Sequence, residues 1–250
     1  NSIKGPTEVA FPSAGGANLL LVGQHREAAF AEICSSIVSV AAAHPPEEVR
    51  MIVFSAGGRE DECAVTLEKL AAALPHRLEI VGPGGIPQIV EGLEAEVAAR
   101  HKGGAGRGAP PVYVFVFGVQ RFRVLRQDED YMFSAGREEG KPTGERFADL
   151  LREGPEVGLH SIVWGDSLAN LQRTFSRKTM REFDARVLFQ MSAADSSELV
   201  DQTAANNLGL HNALLFVESS GALEKFRPYT VPGPAYIEKL SEALGAKFRS

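Results

Sequence analysis

Six short apolar runs, separated by stretches of helical periodicity, constrain the fold of this chain more than any other feature of its sequence. The runs lie at 18–23, 50–56, 77–82, 112–118, 160–166 and 186–192. Most of them are continuously apolar rather than alternating, which is typical of strands buried on both faces of a parallel sheet. Since strands and helices alternate along the chain, the pattern predicts a three-layer α/β domain with a mainly parallel central sheet and helices on both faces.

The stretches between the runs carry apolar residues at spacings of three and four, which indicates one buried helix face. In the first stretch these residues are Phe30, Ile33, Cys34, Ile37, Val40 and Ala41. In a later one they are Ile86, Ile89, Val90, Leu93 and Val97. Further helices are predicted over 62–74 and 147–152, and an amphipathic helix ends the chain. Two apolar segments around Ser219–Ser220–Gly221 predict a hairpin.

Length and charge limit the domain count and the classes of partner. The chain has 250 residues with no internal repeat or linker, so a single domain over 1–250 is predicted. It begins with Asn1 rather than Met, and we expect a domain excised from a longer multi-domain chain. A net charge of −6 argues against extensive nucleic-acid contact, although a local basic patch stays compatible with it. No apolar run approaches the ~20 residues of a membrane-spanning helix.

The stretch NLLLVGQHREAAF, 18–30, begins as a phosphate-binding loop does, because an apolar strand meets Gly23 and then a predicted helix. The full motif, G-x-x-x-x-G-K-[ST], offers backbone N–H groups and a lysine to the phosphates and a hydroxyl to Mg²⁺. Here Ala28, Ala29 and Phe30 stand at the last three positions of the motif. The stretch therefore keeps the scaffold of a nucleotide site without its working side chains.

Four other segments share their order and spacing with one protein family. LLREGPEVGLHSIVWGDS, 150–167, is similar to a family helix that leads through a glycine and a histidine into a strand. The segments at 181–201 and 204–232 resemble the next strand and the closing hairpin, and 3–23 resembles the lead-in to the first core strand. Over nearly its whole length the chain thus resembles the RecA-type motor domain of FtsK/SpoIIIE-like ATPases.

The resemblance implies a RecA-like, P-loop NTPase-type fold, in which the strands at 18–23 and 112–118 are neighbours or one strand apart at the centre. Family members hydrolyse ATP with Mg²⁺, using the phosphate-binding loop and an apolar strand that ends in Asp-Glu. The corresponding strand, VYVFVFGVQRF, has Phe117 and Gly118 in place of the carboxylates, followed by Gln120. Both Walker motifs are then degenerate, and we expect no catalytic residue, no bound ATP and no metal, because such electrostatic groups contribute orders of magnitude in rate.

The phosphate-loop positions remain the candidate binding residues, with weak or no affinity for a nucleotide. They are Gly23, Gln24, His25, Arg26, Glu27, Ala28, Ala29 and Phe30. A helix that starts near His25 offers free N–H groups that hold an anion weakly. His25 and Arg26 are the nearby cations, and they are either substitutes for the lysine or solvated side chains, whereas Glu27 would repel a phosphate. Phe30 and Phe117 are expected to bring apolar bulk to the triphosphate space.

Other candidates carry two interpretations each. Asp166 ends the strand SIVWGD, where it is either a sensor or a cap for the next helix. A basic group, which is a candidate subunit contact or a solvated helix face, comprises Arg173, Arg177, Lys178, Arg181 and Arg186. The long charged loop at 126–145 is either functional or disordered. Its Asp128, Glu129 and Asp130 lack the spacing of a metal site.

The sequence favours a catalytically inactive motor domain with an architectural or regulatory role in a larger DNA-translocating or protein-export motor. Its partners would be the other ATPase domains of its parent chain, in a hexameric ring, with DNA or an exported protein as the cargo. A cytoplasmic location is expected, and membrane tethering of the parent stays open. One alternative is a substrate-binding domain of a type VII-like secretion motor, which an apolar groove near Phe30, Phe117 and Val119 would favour. Others are a DNA-contacting domain and an active ATPase with a cation supplied from elsewhere.

Overall fold

An eight-stranded sheet forms the middle of the molecule in the computed structural model, which describes residues 7–58, 60–103, 108–126 and 140–248. The strands are β1 Leu19–Val22, β2 Arg50–Ser55, β3 Leu78–Val81, β4 Val112–Phe117, β5 Leu159–Gly165, β6 Ala185–Leu188, β7 Ala213–Val217 and β8 Ala222–Phe226. Their order across the sheet is β3-β2-β4-β5-β1-β6-β7-β8. All six apolar runs are strands, as predicted.

Strands β1 to β6 are all parallel, and β7 and β8 add an antiparallel hairpin at one side. The first core strand, β1, lies between β5 and β6, with Leu20 opposite Val163 and Arg186. Strand β4 is the other neighbour of β5. The prediction that β1 and β4 lie at most one strand apart near the centre is therefore confirmed.

Helices cover both faces of this sheet. They are α1 Arg26–Ala43, α2 Glu62–Ala73, α3 Ile86–Gly103, α4 Thr143–Glu153, α5 Leu168–Thr174, α6 Arg177–Met180, α7 Ala193–Val200 and α8 Pro234–Lys247. Apolar residues of α1, α2 and α8 share one hydrophobic cluster, and those of α3, α4, α5 and α7 share the other. The predicted three-layer arrangement is confirmed.

The core strands are buried on both faces because successive side chains point to opposite layers. In β1, Leu19 and Leu21 join one cluster while Leu20 and Val22 join the other, and all four are buried. Full burial of an aliphatic side chain contributes about 1.5–3 kcal/mol each, which explains why the run is continuously apolar. Strand β1 therefore packs against helices on both faces of the sheet.

A buried asparagine fixes the entry of the chain into β1. The Asn18 side chain donates to the carbonyl oxygens of Leu151, at 2.9 Å, and Glu182, at 2.8 Å. Its Oδ1 accepts the N–H of Ser161 at 2.8 Å. Because all three bonds are long-range and Asn18 is 1% exposed, this side chain ties the start of β1 to β5, to helix α4 and to the turn before β6.

Some sequence predictions fall outside the described residues. Residues 104–107 and 127–139 are among these, including Asp128, Glu129 and Asp130. Within the described part of the chain, no group of three or more acidic, histidine or cysteine side chains is placed to hold a metal ion. The helices that the structure describes include none with the length and apolar character to cross a membrane. Cys34 is buried and Cys63 half-buried, and both are free thiols.

Candidate functional site

A cleft of about 630 Å³ opens at the carboxyl edge of the parallel strands. Its residues lie at or beyond the ends of β1, β2, β4 and β5, and they are Gln24, Arg26, Asp61, Gln120, Arg121, Trp164, Asp166, Ser167 and Asn170. In open α/β sheets ligands bind at this edge, in the crevice beyond the ends of the strands. The cleft is therefore the candidate functional site.

Gly23 makes the turn out of β1 and has a conformation that suits glycine alone. Its φ is +135°, and an added Cβ would lie 2.9 Å from the Cβ atom of Phe189. The Gly23 N–H donates to the Gly165 carbonyl at 3.1 Å. The Gly23 carbonyl in turn accepts the indole N–H of Trp164 at 3.0 Å. The turn is thus fastened to β5 through both of its backbone groups.

Helix α1 begins immediately after this turn, with His25 as its N-cap. The His25 Nδ1 atom accepts the Ala28 N–H at 3.1 Å, and its carbonyl accepts the Ala29 N–H at 3.0 Å. The Arg26 N–H is bonded to the Gln24 carbonyl at 2.8 Å. Because Nδ1 accepts a bond here, this arrangement needs an unprotonated Nδ1, and two N–H groups at the helix start are already occupied.

Because α1 starts at Arg26, the later residues of the predicted phosphate loop lie within the helix. Ala28, Ala29 and Phe30 lie within the first turns of α1, and three residues separate Val22 from the helix. Glu27 lies in the first turn and is exposed, where a carboxylate interacts favourably with the helix dipole. The loop is therefore a short capped turn. Its N–H groups at residues 26 and 28 donate to Gln24 and His25 of the same turn.

Arg26 is held by a carboxylate that follows another strand. Its Nη2 atom lies 2.8 Å from Oδ1 and 2.6 Å from Oδ2 of Asp61. The same Oδ1 accepts the Cys63 N–H at 2.9 Å and so caps α2. The Arg26 hydrogen bond holds the pKa of the Asp61 carboxyl below its ordinary value, and Asp61 raises the pKa of the guanidinium.

Arg121, on the turn after β4, approaches the same carboxylate. Its Nη1 atom is 3.8 Å from Asp61 Oδ2, and its Nη2 donates to the Ala56 carbonyl at 3.4 Å. We call Arg26, Asp61 and Arg121 the arginine–aspartate cluster. It joins the turns after β1, β2 and β4, and it includes both arginines that line the cleft.

Three aromatic rings pack against one another beneath the cluster. The centroids of Phe30 and Phe117 are 5.1 Å apart, and Phe117 stacks on Trp164 at 4.9 Å. The Arg26 guanidinium lies 5.5 Å from the Phe117 centroid, within the range of a cation–π interaction. Trp164 lines the cleft, whereas Phe30 and Phe117 are fully buried below it.

These burials bear on two sequence expectations. Phe30 and Phe117 contribute apolar bulk under the cleft and not within it. Val119 is also fully buried. The apolar groove that would favour a substrate-binding domain is therefore not formed by these three residues.

The polar residues at the ends of β4 and β5 make local contacts. Asp166 Oδ1 accepts from Asn170 Nδ2 at 2.8 Å and from Ser167 Oγ at 3.1 Å, beside the Ser167 cap of α5. Gly118 has a φ of +84° and starts the turn that carries Gln120 into the cleft. The buried Gln120 Oε1 has no hydrogen-bond partner among the described residues.

The basic group divides into two kinds of residue. Arg173, Arg177 and Arg181 are exposed on and after α5 and α6. Arg186 lies on β6 with its side chain 12% exposed, donates to the Leu199 carbonyl at 2.6 Å and pairs with Glu218. Arg186 therefore holds its own domain together, and the exposed basic surface consists of the other side chains of the group.

Asp61 is the site residue that sequence reasoning missed. It stands 35 residues from Arg26, and no local motif joins the two. A signal was nonetheless present, because Asp61 follows β2 and precedes a predicted helix. Polar residues after parallel strands converge at one edge of the sheet.

Comparison with known proteins shows which solved structures share this fold. No protein-family model matches the chain, and no curated protein matches its sequence. The solved structure of EssC (ATPases 2 and 3) from Geobacillus thermodenitrificans has a TM-score of 0.69 and 13% identity, covering 93% of this chain and 44% of that one. The cytoplasmic domain of the type VII secretion ATPase EccC from Thermomonospora curvata has a TM-score of 0.64 and 16% identity, covering 92% and 28%.

A third similar structure is the pCW3 conjugation coupling protein TcpA, with a TM-score of 0.63 and 10% identity, covering 93% of this chain and 65% of that one. The fold is thus the RecA-like, P-loop NTPase-type α/β fold. More particularly, it is the fold found in EssC and EccC, and the RecA-like fold that the family resemblance implied is confirmed. The chain spans less than half the length of those two proteins.

Proposed function

We propose that this chain is a non-hydrolysing motor-type domain with an architectural or regulatory role in a larger protein-export machine. The observation that carries the proposal is the pairing of both cleft-lining arginines, Arg26 and Arg121, with Asp61. A triphosphate needs cations to compensate its charge. In this cleft the available ones already face a carboxylate of the same chain.

The surrounding positions support the same conclusion. In a P-loop enzyme a lysine, a hydroxyl and acidic groups position the phosphates, Mg²⁺ and the attacking water. Here Ala28, Ala29 and Phe30 occupy the first turns of α1, and the buried Phe117 ends β4. Groups of this kind each contribute about 10²–10³ in rate, so we expect their joint absence to abolish hydrolysis.

Export is favoured over DNA translocation by charge. The chain carries a net charge of −6 and has a sequence pI of about 5.6, whereas DNA-tracking surfaces are strongly basic. The fold likeness to EssC and EccC agrees with export, although the likeness to TcpA shows that fold alone does not select the cargo. We infer that the partners are other ATPase domains of one parent chain, arranged in a ring in the cytoplasm.

The test of inactivity is calorimetry with ATP and Mg²⁺, together with an assay of phosphate release. We expect no turnover and no magnesium-dependent binding at millimolar nucleotide. The matched variant Arg26→Gln separates the outcomes, because a contaminating ATPase is unaffected by it. Hydrolysis that is present in the wild type and lost in Arg26→Gln would establish an active ATPase with an atypical site.

The test of the partner is sedimentation of the 250-residue chain alone and with neighbouring domains of its parent. We expect a monomer alone and a complex with the neighbours. Triple charge reversal of the exposed Arg173, Arg177 and Arg181 should weaken that complex if the basic surface contributes to it. A stable hexamer formed by this chain alone, without nucleotide, would contradict the proposal.

A further inference from the structure

We propose that Asp61 is an internal ligand, whose carboxylate occupies an oxyanion position formed by Arg26 and Arg121. Removal of its charge would open this position to a free oxyanion such as pyrophosphate. The inference deepens the proposed function and rests on it, since it gives a cause for an idle cleft that still holds two cations.

The geometry around Asp61 is that of a bound anion. Its carboxylate receives Arg26 Nη2 at 2.8 and 2.6 Å, Arg121 Nη1 at 3.8 Å and the Cys63 N–H at 2.9 Å. Two guanidinium groups and a backbone N–H are the donors that proteins use for carboxylates and phosphates. The Asp61 side chain is 17% exposed, compared with 46% for Arg26 and 38% for Arg121. The anion therefore lies inside the cluster, and the cations face solvent.

Both arginines have supports that do not depend on Asp61. The Arg26 guanidinium lies over the buried Phe117 ring, and Arg121 donates to the Ala56 carbonyl. These contacts would keep the two cations near their positions if the carboxylate lost its charge. An oxyanion arriving from solvent would then meet a preformed pair of donors.

Free anions are excluded in the wild type because Asp61 is part of the same chain. A tethered group acts at an effective concentration in the millimolar range or above, so a dilute oxyanion competes poorly for the arginines. The other cleft carboxylate, Asp166, is bonded to Ser167 and Asn170 and has no described contact with either arginine. The exclusion is therefore assigned to Asp61 and not to the acidity of the cleft as a whole.

The experiment compares the binding of inorganic pyrophosphate, without magnesium, to the wild type and to Asp61→Asn. Asparagine also caps helices, so the variant retains an acceptor for the Cys63 N–H while it loses the charge. We expect Asp61→Asn to bind at least tenfold more tightly than the wild type. The matched control is Asp166→Asn, which removes the same charge from the same cleft and should bind no better than the wild type.

The double variant Asp61→Asn/Arg26→Gln should lose the gained binding, which would assign it to the arginine pair. Equal binding by the wild type and a folded Asp61→Asn, or an equal gain in Asp166→Asn, would overturn the inference. If circular dichroism shows that Asp61→Asn is unfolded, Asp61→Ser provides the same test with another capping residue. Because magnesium and ATP are omitted, a negative result for pyrophosphate binding says nothing about ATP hydrolysis. Conversely, if hydrolysis were detected, the pyrophosphate comparison would still test the role of Asp61.

Discussion

At the amino edge of the sheet, Tyr113 and His160 pack ring against ring, with centroids 5.5 Å apart and Phe11 beside both. At the carboxyl edge, Arg26, Asp61 and Arg121 form a partly exposed group of charges. The amino edge is closed by buried rings and neutral hydrogen bonds, such as that between His160 Nδ1 and the Ala17 carbonyl at 2.9 Å. The carboxyl edge keeps a cleft but satisfies its charges internally.

This difference indicates that the amino edge contributes to folding stability, whereas the carboxyl edge holds the candidate functional site. Buried polar groups are costly to leave unpaired, so the amino edge should be sensitive to substitution. Exposed ion pairs contribute little to stability, so the carboxyl edge is free to vary. Three substitutions at the two edges and one at a buried charge on α1 follow, from the largest expected effect to the smallest.

Asn18→Leu should lower the free energy of unfolding by about 4 kcal/mol, because it leaves the Ser161 N–H and two carbonyl groups without their partner at about 1–3 kcal/mol each. Urea unfolding measures the change. The control is Gln24→Leu at the exposed turn of the carboxyl edge, for which a change within about 0.5 kcal/mol is expected. Comparable losses in the two variants would end the contrast between the edges.

Glu32→Gln probes a charge buried away from the cleft, on α1. Burial raises the pKa of the Glu32 carboxyl to about 7, against the opposing effect of the Tyr229 N–H. Its Oε1 is buried without a partner among the described residues. From pH 4.5, its ordinary pKa, up to about 7, the unfolded chain ionises first, so folding stability falls as pH rises.

The variant removes this penalty and should be more stable than the wild type at pH 8, by up to about 3.5 kcal/mol, since one pKa unit corresponds to about 1.4 kcal/mol. At pH 4 the two proteins should differ little. Unfolding in urea at both pH values gives the comparison, with the exposed Glu27→Gln as the control. A stability gain of equal size at both pH values would exclude ionisation as its cause.

The amino edge should lose stability on acidification. Burial lowers the pKa of His160, although its bond to the Ala17 carbonyl acts in the opposite direction. Below pH 6.5, its ordinary pKa, the unfolded chain therefore binds a proton that the folded chain does not, and stability falls by up to about 1.4 kcal/mol per pH unit. In His160→Gln the fall between pH 6.5 and 5.5 should be smaller, as followed by urea midpoints.

The exposed His211→Gln is the matched control for this measurement, and its pH dependence should follow that of the wild type. The contributions of Glu32 and His160 have opposite signs below pH 6.5, so the His160 comparison is cleanest when both proteins also carry Glu32→Gln. An unchanged slope in His160→Gln would show that this histidine does not set the acid sensitivity of the edge.

Arg26→Gln should change the free energy of unfolding by less than about 1 kcal/mol, because its ion pair is partly exposed. Asp61 would still cap α2 through the Cys63 N–H. Thermal unfolding at two salt concentrations is the measurement, with Arg186→Gln as the comparison, since that side chain is far less exposed. A larger loss of stability in Arg26→Gln than in Arg186→Gln would contradict the expectation that the carboxyl edge contributes little to stability.

Much of the fold could be predicted because hydrophobic periodicity is a local signal. The six apolar runs, the helix faces such as that of Ile86 and Val97, and the hairpin around Ser219–Gly221 all lie where expected. The fold class followed from their alternation along the chain. Of the strand order, only the placement of β1 within one strand of β4 was predicted, and it is confirmed.

The site was predicted less well because it depends on contacts between distant turns. Arg26 was recognised as a cation near the helix start, but its partner Asp61 lies on another connection. His25 was expected either to replace the lysine or to be a solvated side chain, and its N-cap bond to the Ala28 N–H was not predicted. In the sequence Arg186 belongs to a basic stretch, but in the structure it lies on β6 and pairs with Glu218. Such pairings are fixed by topology, which residue spacing does not encode.

The bond from the Trp164 indole to the Gly23 carbonyl has a practical consequence. Trp164 is the single tryptophan of the chain, lines the cleft and is 3% exposed. Intrinsic fluorescence excited at the red edge of protein absorption therefore comes from this one indole, at the floor of the candidate site. A change in its emission would report a rearrangement of the turn after β1 directly. The molecule thus contains its own optical probe, and no label is needed to follow events in the cleft.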